Sequence, residues 1–477
     1  MGAVHTTSQS IAIVGGGITG LAAACHLAGK NIPVRLFEAS GRPGGVICSE
    51  RTPEGWLIET GPNTVLDKTA ALQRHLGIPA LARAFIAPDP RAKKRFLVRN
   101  GTLMALPASP FSAITTRIVS AGLKWRIARD FLFARPRLRD ADVPLAELAR
   151  EHYGGEFVDY ALNPMIAGIY AGDPEKLSAR LALPFIWDAE RTHGSIVRGQ
   201  LAQARARRRA GIPKAGLVSF QNGLQELAGA LAAQLPRGAI ETGARVESIS
   251  RVESSGGGAH WRLRLAGANA GAPPDDTHNC VFSKVLLAIP AHELARLQIA
   301  PDAGWPEKFQ TPLARLGGIV SPPLASLFLG YRREQVAHPL DGFGALVPEV
   351  EKMPFLGVLF SSSLYPGRAP SGHVLLTVMV GGTRQPELAR LDAWRLAGLV
   401  CPPLGKLLGI RGTPVFQKLA VRERAIPQYN LGHERHLALI DEFERVHPGL
   451  RVAGNARDGI AVPACIASGV DRAERML

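Results

Sequence analysis

Gly15, Gly17 and Gly20 stand where the apolar run Ile11-Ala12-Ile13-Val14 gives way to Leu21-Ala22-Ala23-Ala24. This spacing holds an anion without any reactive side chain. The first glycine permits a tight turn, the second lets backbone approach a pyrophosphate, and the third lets a helix pack closely on a strand. The helix then turns its free N–H groups and the positive end of its dipole toward the phosphates. A second apolar run, Pro33 to Phe37, ends in Glu38, about 20 residues on, where a carboxylate meets a ribose 2′-OH. Strand, glycines, helix, strand and acid in that order predict a dinucleotide site touched by Gly15, Gly16, Gly17, Ile18, Thr19, Gly20, Glu38 and Ala39.

The next segment separates a flavin from a nicotinamide. Arg42-Pro43-Gly44-Gly45-Val46 offers paired glycines beside a second phosphate contact, with Arg42 near the charge; the plain alternative is an ordinary Gly/Pro turn. A distant element favours the first reading. Leu450 to Gly454 reads as another buried strand, followed by Asn455 to Ile460 and a helix from about Pro463, where proline suits the first turn. Gly459, Ile460, Ala461 and Val462 would bring that helix end to the edge of an isoalloxazine and favour the negative charge of its reduced form. Gly61-Pro62-Asn63-Thr64 is a turn poised to return under the same ring, and Val246, Gly454 and Asn455 join the expected lining. Contacts from opposite ends of the chain imply FAD lying along the whole molecule.

These residues need a scaffold, and 477 residues with 46% hydrophobic and 20% charged content predict two or three domains. Lys94 to Val98 and Leu103 to Leu106 bracket Asn100-Gly101, a hairpin signal. Asp67 to Leu76 reads as a helix, Asp142 to Gly199 as several, and a further helix begins within Phe220 to Leu227. Strands follow around Ala244 to Val246, Trp261 to Leu263 and Lys284 to Ile289, and Gly317 to Val380 describes a separate sheet. The cofactor domain is thus interrupted twice. No apolar stretch reaches the ~18 residues that span a bilayer, and Met1 to Ser10 carries no signal-peptide pattern. Cys25, Cys48, Cys280, Cys401 and Cys465 are scattered without metal-ligand spacing, which predicts reduced thiols, a cytosol-facing protein and no metal site.

Net charge is +16. Much of it sits in Gln203 to Arg209, read as a solvated arginine-rich loop; no aromatics are interleaved there, so nucleic acid is not expected. Pro107 to Arg139 combines Phe111, Ile114, Ile118, Leu123, Trp125, Ile127, Phe131 and Phe133 with Arg117, Lys124, Arg126, Arg129, Arg135 and Arg137. Basic side chains snorkelling around an apolar stripe suit the surface of an anionic membrane. The competing reading is a soluble helical subdomain with its stripe buried.

The chain from Ile11 to Gly469 resembles the protoporphyrinogen oxidase family, FAD enzymes of haem and chlorophyll synthesis within the flavin amine oxidases. The resemblance is carried by Lys94-Arg95-Phe96, Ala167 to Pro174, Gly342 to Pro348, Leu356 to Ser362, Met379 to Gly382 and Ile426 to Tyr429. It implies an α/β fold: a discontinuous Rossmann-like FAD domain (1–90, 215–295 and 435–477), a mixed-sheet substrate domain (91–106 and 296–434) and a helical membrane-binding region (107–214). Arg95 would pair with a propionate of the tetrapyrrole, and Gly168 would offer its backbone to the pyrrole N–H groups. Leu346 and Leu359 would sandwich one pyrrole ring, Met379 would pack on another, and Phe343 lies nearby. Relatives often place Trp just before Ala425-Ile426-Pro427, where this chain has Val421-Arg422-Glu423-Arg424.

The implied reaction is the six-electron oxidation of protoporphyrinogen IX to protoporphyrin IX, with oxygen as acceptor. It needs no nucleophile, metal, or assigned acid or base; the protein holds a bridging carbon against the flavin. Expected partners are protoporphyrinogen IX, oxygen and an anionic membrane on its cytoplasmic face, with a homodimer as an option and no nucleic acid. The alternatives are coproporphyrinogen III oxidation, a flavin amine oxidase or carotenoid desaturase, and a non-catalytic flavoprotein scaffold.

Overall fold

A computed structural model describes residues 10–67, 85–107, 115–212, 216–253, 259–266, 279–300 and 312–477. Ile11–Val14 forms a strand buried on both faces: Ile11 and Ile13 enter one apolar cluster, Ala12 and Val14 another. That burial suits the centre of a parallel sheet. The sheet runs Ile240–Thr242, Val34–Glu38, Ile11–Val14, Lys284–Leu287, Leu450–Val452, and every pairing is parallel. Its strands come from three distant stretches of chain. The helices Ile18–Gly29 and Val462–Glu474 pack together on one face, so closely that a Cβ on Gly469 would stand 2.2 Å from the Thr19 carbonyl oxygen.

A second sheet has seven strands in the order Phe416–Arg422, Leu324–Arg332, His373–Gly381, Gly357–Leu359, Gly342–Leu346, Lys94–Arg99, Thr102–Ala105. The last two form the expected hairpin, and Asn100 and Gly101 both have positive φ, 52° and 69°. One face of this sheet is a dry core beneath the helix Ala393–Leu408, filled by residues such as Leu327, Leu329, Leu376, Val378 and Phe96. The opposite face carries Ser326, Thr377, Met379, Gly357, Leu359 and Leu346, set by strand alternation and register.

Helices occupy most of 145–209. The arginine run at 203–209 is the exposed end of the helix Ile196–Arg209, not a loop; alternating Ala and Arg are both strong helix formers. Phe220 closes the strand Gly216–Phe220, and the helix expected there starts at Gln225. Of the helix expected over 67–76, only Asp67 is described, at the end of the strand Val65–Asp67; the rest lies outside the described residues.

The 107–139 segment contributes the helix Ala121–Phe133, capped by Ser120 Oγ accepting from Leu123 N–H at 3.1 Å. Phe111 and Ile114 lie outside the described residues. Leu123 and Asp130 are its buried members, while Trp125 is 65% and Phe133 70% exposed. A buried ionic cluster pins this helix: Asp130 meets His152 Nδ1 at 2.5 Å, and Glu190 binds both His152 Nε2 (3.1 Å) and Arg139 (2.7 Å). Burial works against charge on His152, but its bonds to Asp130 and Glu190 outweigh that and raise it to about 9. No helix among the described residues is long and apolar enough to cross a membrane.

Candidate functional site

A cavity of about 830 Å³ opens along the C-terminal ends of the parallel strands. Gly15, Gly17, Ile18, Thr19, Glu38, Ala39, Gly44, Gly45, Val46, Val246, Gly454 and Asn455 all line it. Gly15 holds φ at 106° with its Cβ position 2.6 Å from the Ala288 carbonyl oxygen, and a Cβ on Gly20 would stand 1.9 Å from the Gly15 oxygen. A Cβ on Gly17, by contrast, meets nothing within 4 Å. Gly15 and Gly20 therefore shape the turn, and Gly17 keeps the cavity open. The helix after Gly17 has neither a side-chain cap nor an acid in its first turn, so its N-terminal donors and dipole face the cavity without internal compensation. Glu38 accepts from Gly16 N–H at 2.7 Å and from Ser40 N–H at 2.8 Å, which fixes the carboxylate at the rim. Room, free helix donors and a held carboxylate fit a dinucleotide.

Arg42 departs from expectation. Its guanidinium donates to the carbonyls of Gly45 and Ile47 at 3.0 Å and to Gln225 at 3.1 Å, and it does not line the cavity. Gly44 and Gly45 both have positive φ, and the carbonyls of such a loop need donors that Arg42 supplies. Gly16 also stands behind the wall, orienting Glu38. Gly61, Pro62, Gly459, Ile460, Ala461 and Val462 are not in the lining of this cavity.

The C-terminal loop is held by Tyr429, Ser468 and His433. Tyr429 accepts from Gly459 N–H at 2.9 Å and donates to the Asn455 carbonyl at 2.7 Å. Ser468 accepts from Gly454 N–H at 2.8 Å and donates to Asp458 at 2.6 Å. His433 reaches the Ala456 carbonyl at 3.0 Å and stacks on Tyr429. Burial lowers His433 to about 4, so it is a neutral imidazole donating from Nε2.

The residues expected to meet the macrocycle converge on one sheet face. Register aligns Leu346 with Gly357 and Gly357 with Met379, and in the next row Gly344 with Leu359. Apart from His373 at the strand end, the residues of these three strands that are not buried are Phe343, Leu346, Leu359 and Met379. Gly168, exposed on the helix Asn163–Tyr170, abuts this face: its Cβ position is 3.0 Å from Leu346 Cδ2. Arg95 is exposed with its guanidinium 5.9 Å from the Phe343 ring centre. Asn63 and Thr64 share with Leu359 a second cavity of about 10 Å³, bounded also by Glu59 and Arg368. Burial pushes the Glu59 carboxyl up to about 7 against the pull of Ser49 and Arg368.

Four arginines line the large cavity, and sequence reasoning placed none of them there: Arg245, Arg264, Arg296 and Arg422. Arg245 and Arg296 pair with Glu293, and Arg264 pairs with Glu247. Among the described residues no cluster of histidine, cysteine and acids could hold a metal ion.

The chain matches the family described as flavin containing amine oxidoreductase over residues 18–477. It is 31% identical to protoporphyrinogen oxidase 2, chloroplastic/mitochondrial, of Arabidopsis thaliana, across 99% of this chain and 94% of the relative. Coproporphyrinogen III oxidase of Staphylococcus aureus is 25% identical, across 98% and 99%. A solved structure from Exiguobacterium sp. 255-15, provisionally designated a protoporphyrinogen oxidase, superposes with TM-score 0.78 at 25% identity, covering 98% of this chain and 99% of that one.

Proposed function

From the premise that the chain belongs to the flavin-containing amine oxidoreductases, within their protoporphyrinogen oxidase family, and that its cofactor is FAD, we propose that it oxidises protoporphyrinogen IX to protoporphyrin IX, with oxygen taking the six electrons. The observation that carries this reading is that, apart from His373 at a strand end, Phe343, Leu346, Leu359 and Met379 are the part-exposed residues of three otherwise buried strands. An apolar macrocycle can bury itself there, and a porphyrinogen is one.

When bound, the flavin accepts hydride equivalents, two electrons at a time. The protein's part is placement. Leu346 and Leu359 supply a flat apolar wall, Met379 a polarisable one, and Gly168 the space for a ring to approach the helix. Arg95 anchors a carboxylate at the rim. Its neighbours on the same strand are already committed, Lys94 to Asp341 at 2.6 Å and Arg99 to Glu156 at 3.0 Å, while Arg95 has no ion pair among the described residues. A single uncommitted cation on that strand favours a dicarboxylate over the four carboxylates of coproporphyrinogen III.

Anaerobic mixing with each porphyrinogen tests this. Flavin bleaching by protoporphyrinogen IX at a rate well above that with coproporphyrinogen III is the expected result, and the reverse order would hand the site to the tetracarboxylate. We further propose that the exposed Trp125, Leu132, Phe133 and Leu138, ringed by Lys124, Arg126, Arg129 and Arg135, rest on the cytoplasmic face of an anionic membrane.

A further inference from the structure

Of the four arginines in the cavity wall, Arg422 is the one with no acid partner among the described residues. Its neighbours cannot supply one: Glu423 pairs with Arg390, and Lys418 takes Glu50. Its Nη2 makes only a long bond to Thr60 Oγ1, 3.4 Å, and its Nε is buried with no hydrogen-bond partner. A guanidinium donor buried without a partner is costly and calls for an acceptor in the adjoining space.

Position says which part of a ligand that acceptor belongs to. Arg422 closes the strand Phe416–Arg422 and registers with Leu324, which registers with Gly381. Gly381 lies two residues beyond Met379, so Arg422 projects from the same sheet face as Met379 while also walling the cofactor cavity. Glu38 marks the ribose end of that cavity, on a strand of the other sheet. Arg422 thus stands where the cofactor must approach the substrate face, at its redox-active end.

Resting on the reading of this cavity as the FAD site, we propose that Arg422 tunes the flavin: its guanidinium balances the negative charge gained on reduction and so favours the reduced form. Taking up one hydride, two electrons and one proton, leaves the ring one negative charge richer. A fixed cation in a partly dry cavity stabilises that product far more than it would in water.

The test compares FAD-loaded wild type with Arg422→Gln, Arg422→Lys and the exposed neighbour Arg424→Gln. Two readouts apply: the flavin midpoint potential by dye equilibration, and the Kd for sulfite, which adds to oxidised flavin and leaves the same excess charge on the ring. Arg422→Gln is expected to shift the two-electron equilibrium toward oxidised flavin about tenfold, near 30 mV, and to weaken sulfite binding by a similar factor. Arg422→Lys should keep most of both, and Arg424→Gln should change neither. Unaltered potential and sulfite affinity in Arg422→Gln would overturn the proposal. So would weaker FAD retention at unaltered potential, which would make Arg422 an anchor. A wild-type chain that held no flavin would overturn the cavity reading, and this proposal with it.

Discussion

Gly168 lies against Leu346, with the Cβ position of one 3.0 Å from Cδ2 of the other. The helix Asn163–Tyr170 and the strand Gly342–Leu346 therefore meet beside the proposed substrate face, where only hydrogen fits without displacing a neighbour. Gly168→Ala should leave FAD content and melting temperature near wild type, because the position is exposed. It should lower kcat/KM for protoporphyrinogen by up to about tenfold, since the added methyl displaces Leu346 by a few tenths of an ångström, short of the ~1 Å that costs about 100-fold. Steady-state kinetics on the flavin-loaded variant decide it; an undiminished kcat/KM would remove Gly168 from the site.

Gly17 and Gly20 separate cofactor binding from folding. Gly17→Val adds atoms that meet open cavity, so the protein should fold, with normal circular dichroism, yet purify colourless. Gly20→Ala forces a Cβ to 1.9 Å from the Gly15 oxygen and should destabilise the chain itself, by about 1–3 kcal/mol as overpacking does. Tightly bound FAD in Gly17→Val would refute the assignment of the loop.

Arg95 sits outside every cofactor contact, so Arg95→Ala should leave the flavin spectrum unchanged. A charge-assisted bond of roughly 1.5–3 kcal/mol to a propionate predicts a KM about 10- to 100-fold higher. Arg95→Lys should recover part of it, because a point charge lacks the guanidinium fork. Wild-type kcat/KM in Arg95→Ala would show a surface charge stacked on Phe343 and nothing more.

The glycine fingerprint was legible because backbone geometry dictates its spacing, and Glu38 because strand length fixes its distance from the turn. The sheet face was legible only in its residues. That Leu346, Gly357 and Met379 form one row depends on pairings between strands far apart in sequence, which local pattern does not encode. Arg42 is a related case: a charge next to glycines reads as a phosphate ligand, whereas its guanidinium is taken up by the loop's own carbonyls. The arginine run reads as a loop on charge alone, yet its residues favour helix and end one.

His433, bonded to the Ala456 carbonyl, should make FAD retention sensitive to acid. Its folded value of about 4 lies below the ordinary imidazole value, so the stability it contributes is present above pH ~6.5 and is lost as pH falls through 4. The loss is on the order of 3 kcal/mol and falls on the loop around Ala456. Free-flavin fluorescence should rise between pH 6.5 and 4 in the wild type. In His433→Gln, which keeps a donor without titrating there, the curve should flatten; an identical curve would assign the acid sensitivity elsewhere.

Membrane association is checked by flotation with anionic liposomes. Wild type should float at low salt and less at high salt, as expected for basic residues around an apolar contact. Replacing Trp125, Phe133 and Leu138 together with Ser should leave the protein in the bottom fraction without loss of flavin, because these side chains are exposed. A wild type that never floats would make the helix an ordinary surface element.

The parallel sheet draws its first strand from Ile11–Val14 and its last from Leu450–Val452, and Cys465 on the closing helix still lines the cofactor cavity. During synthesis the glycine turn therefore leaves the ribosome long before the opposite wall exists. The cavity wall is complete only once residue 465 has been released and the last helix has folded back on the first. A chain cut short before Leu450 would hold the whole seven-stranded sheet yet lack Ala453, Gly454, Asn455 and Cys465 from the wall of the cavity.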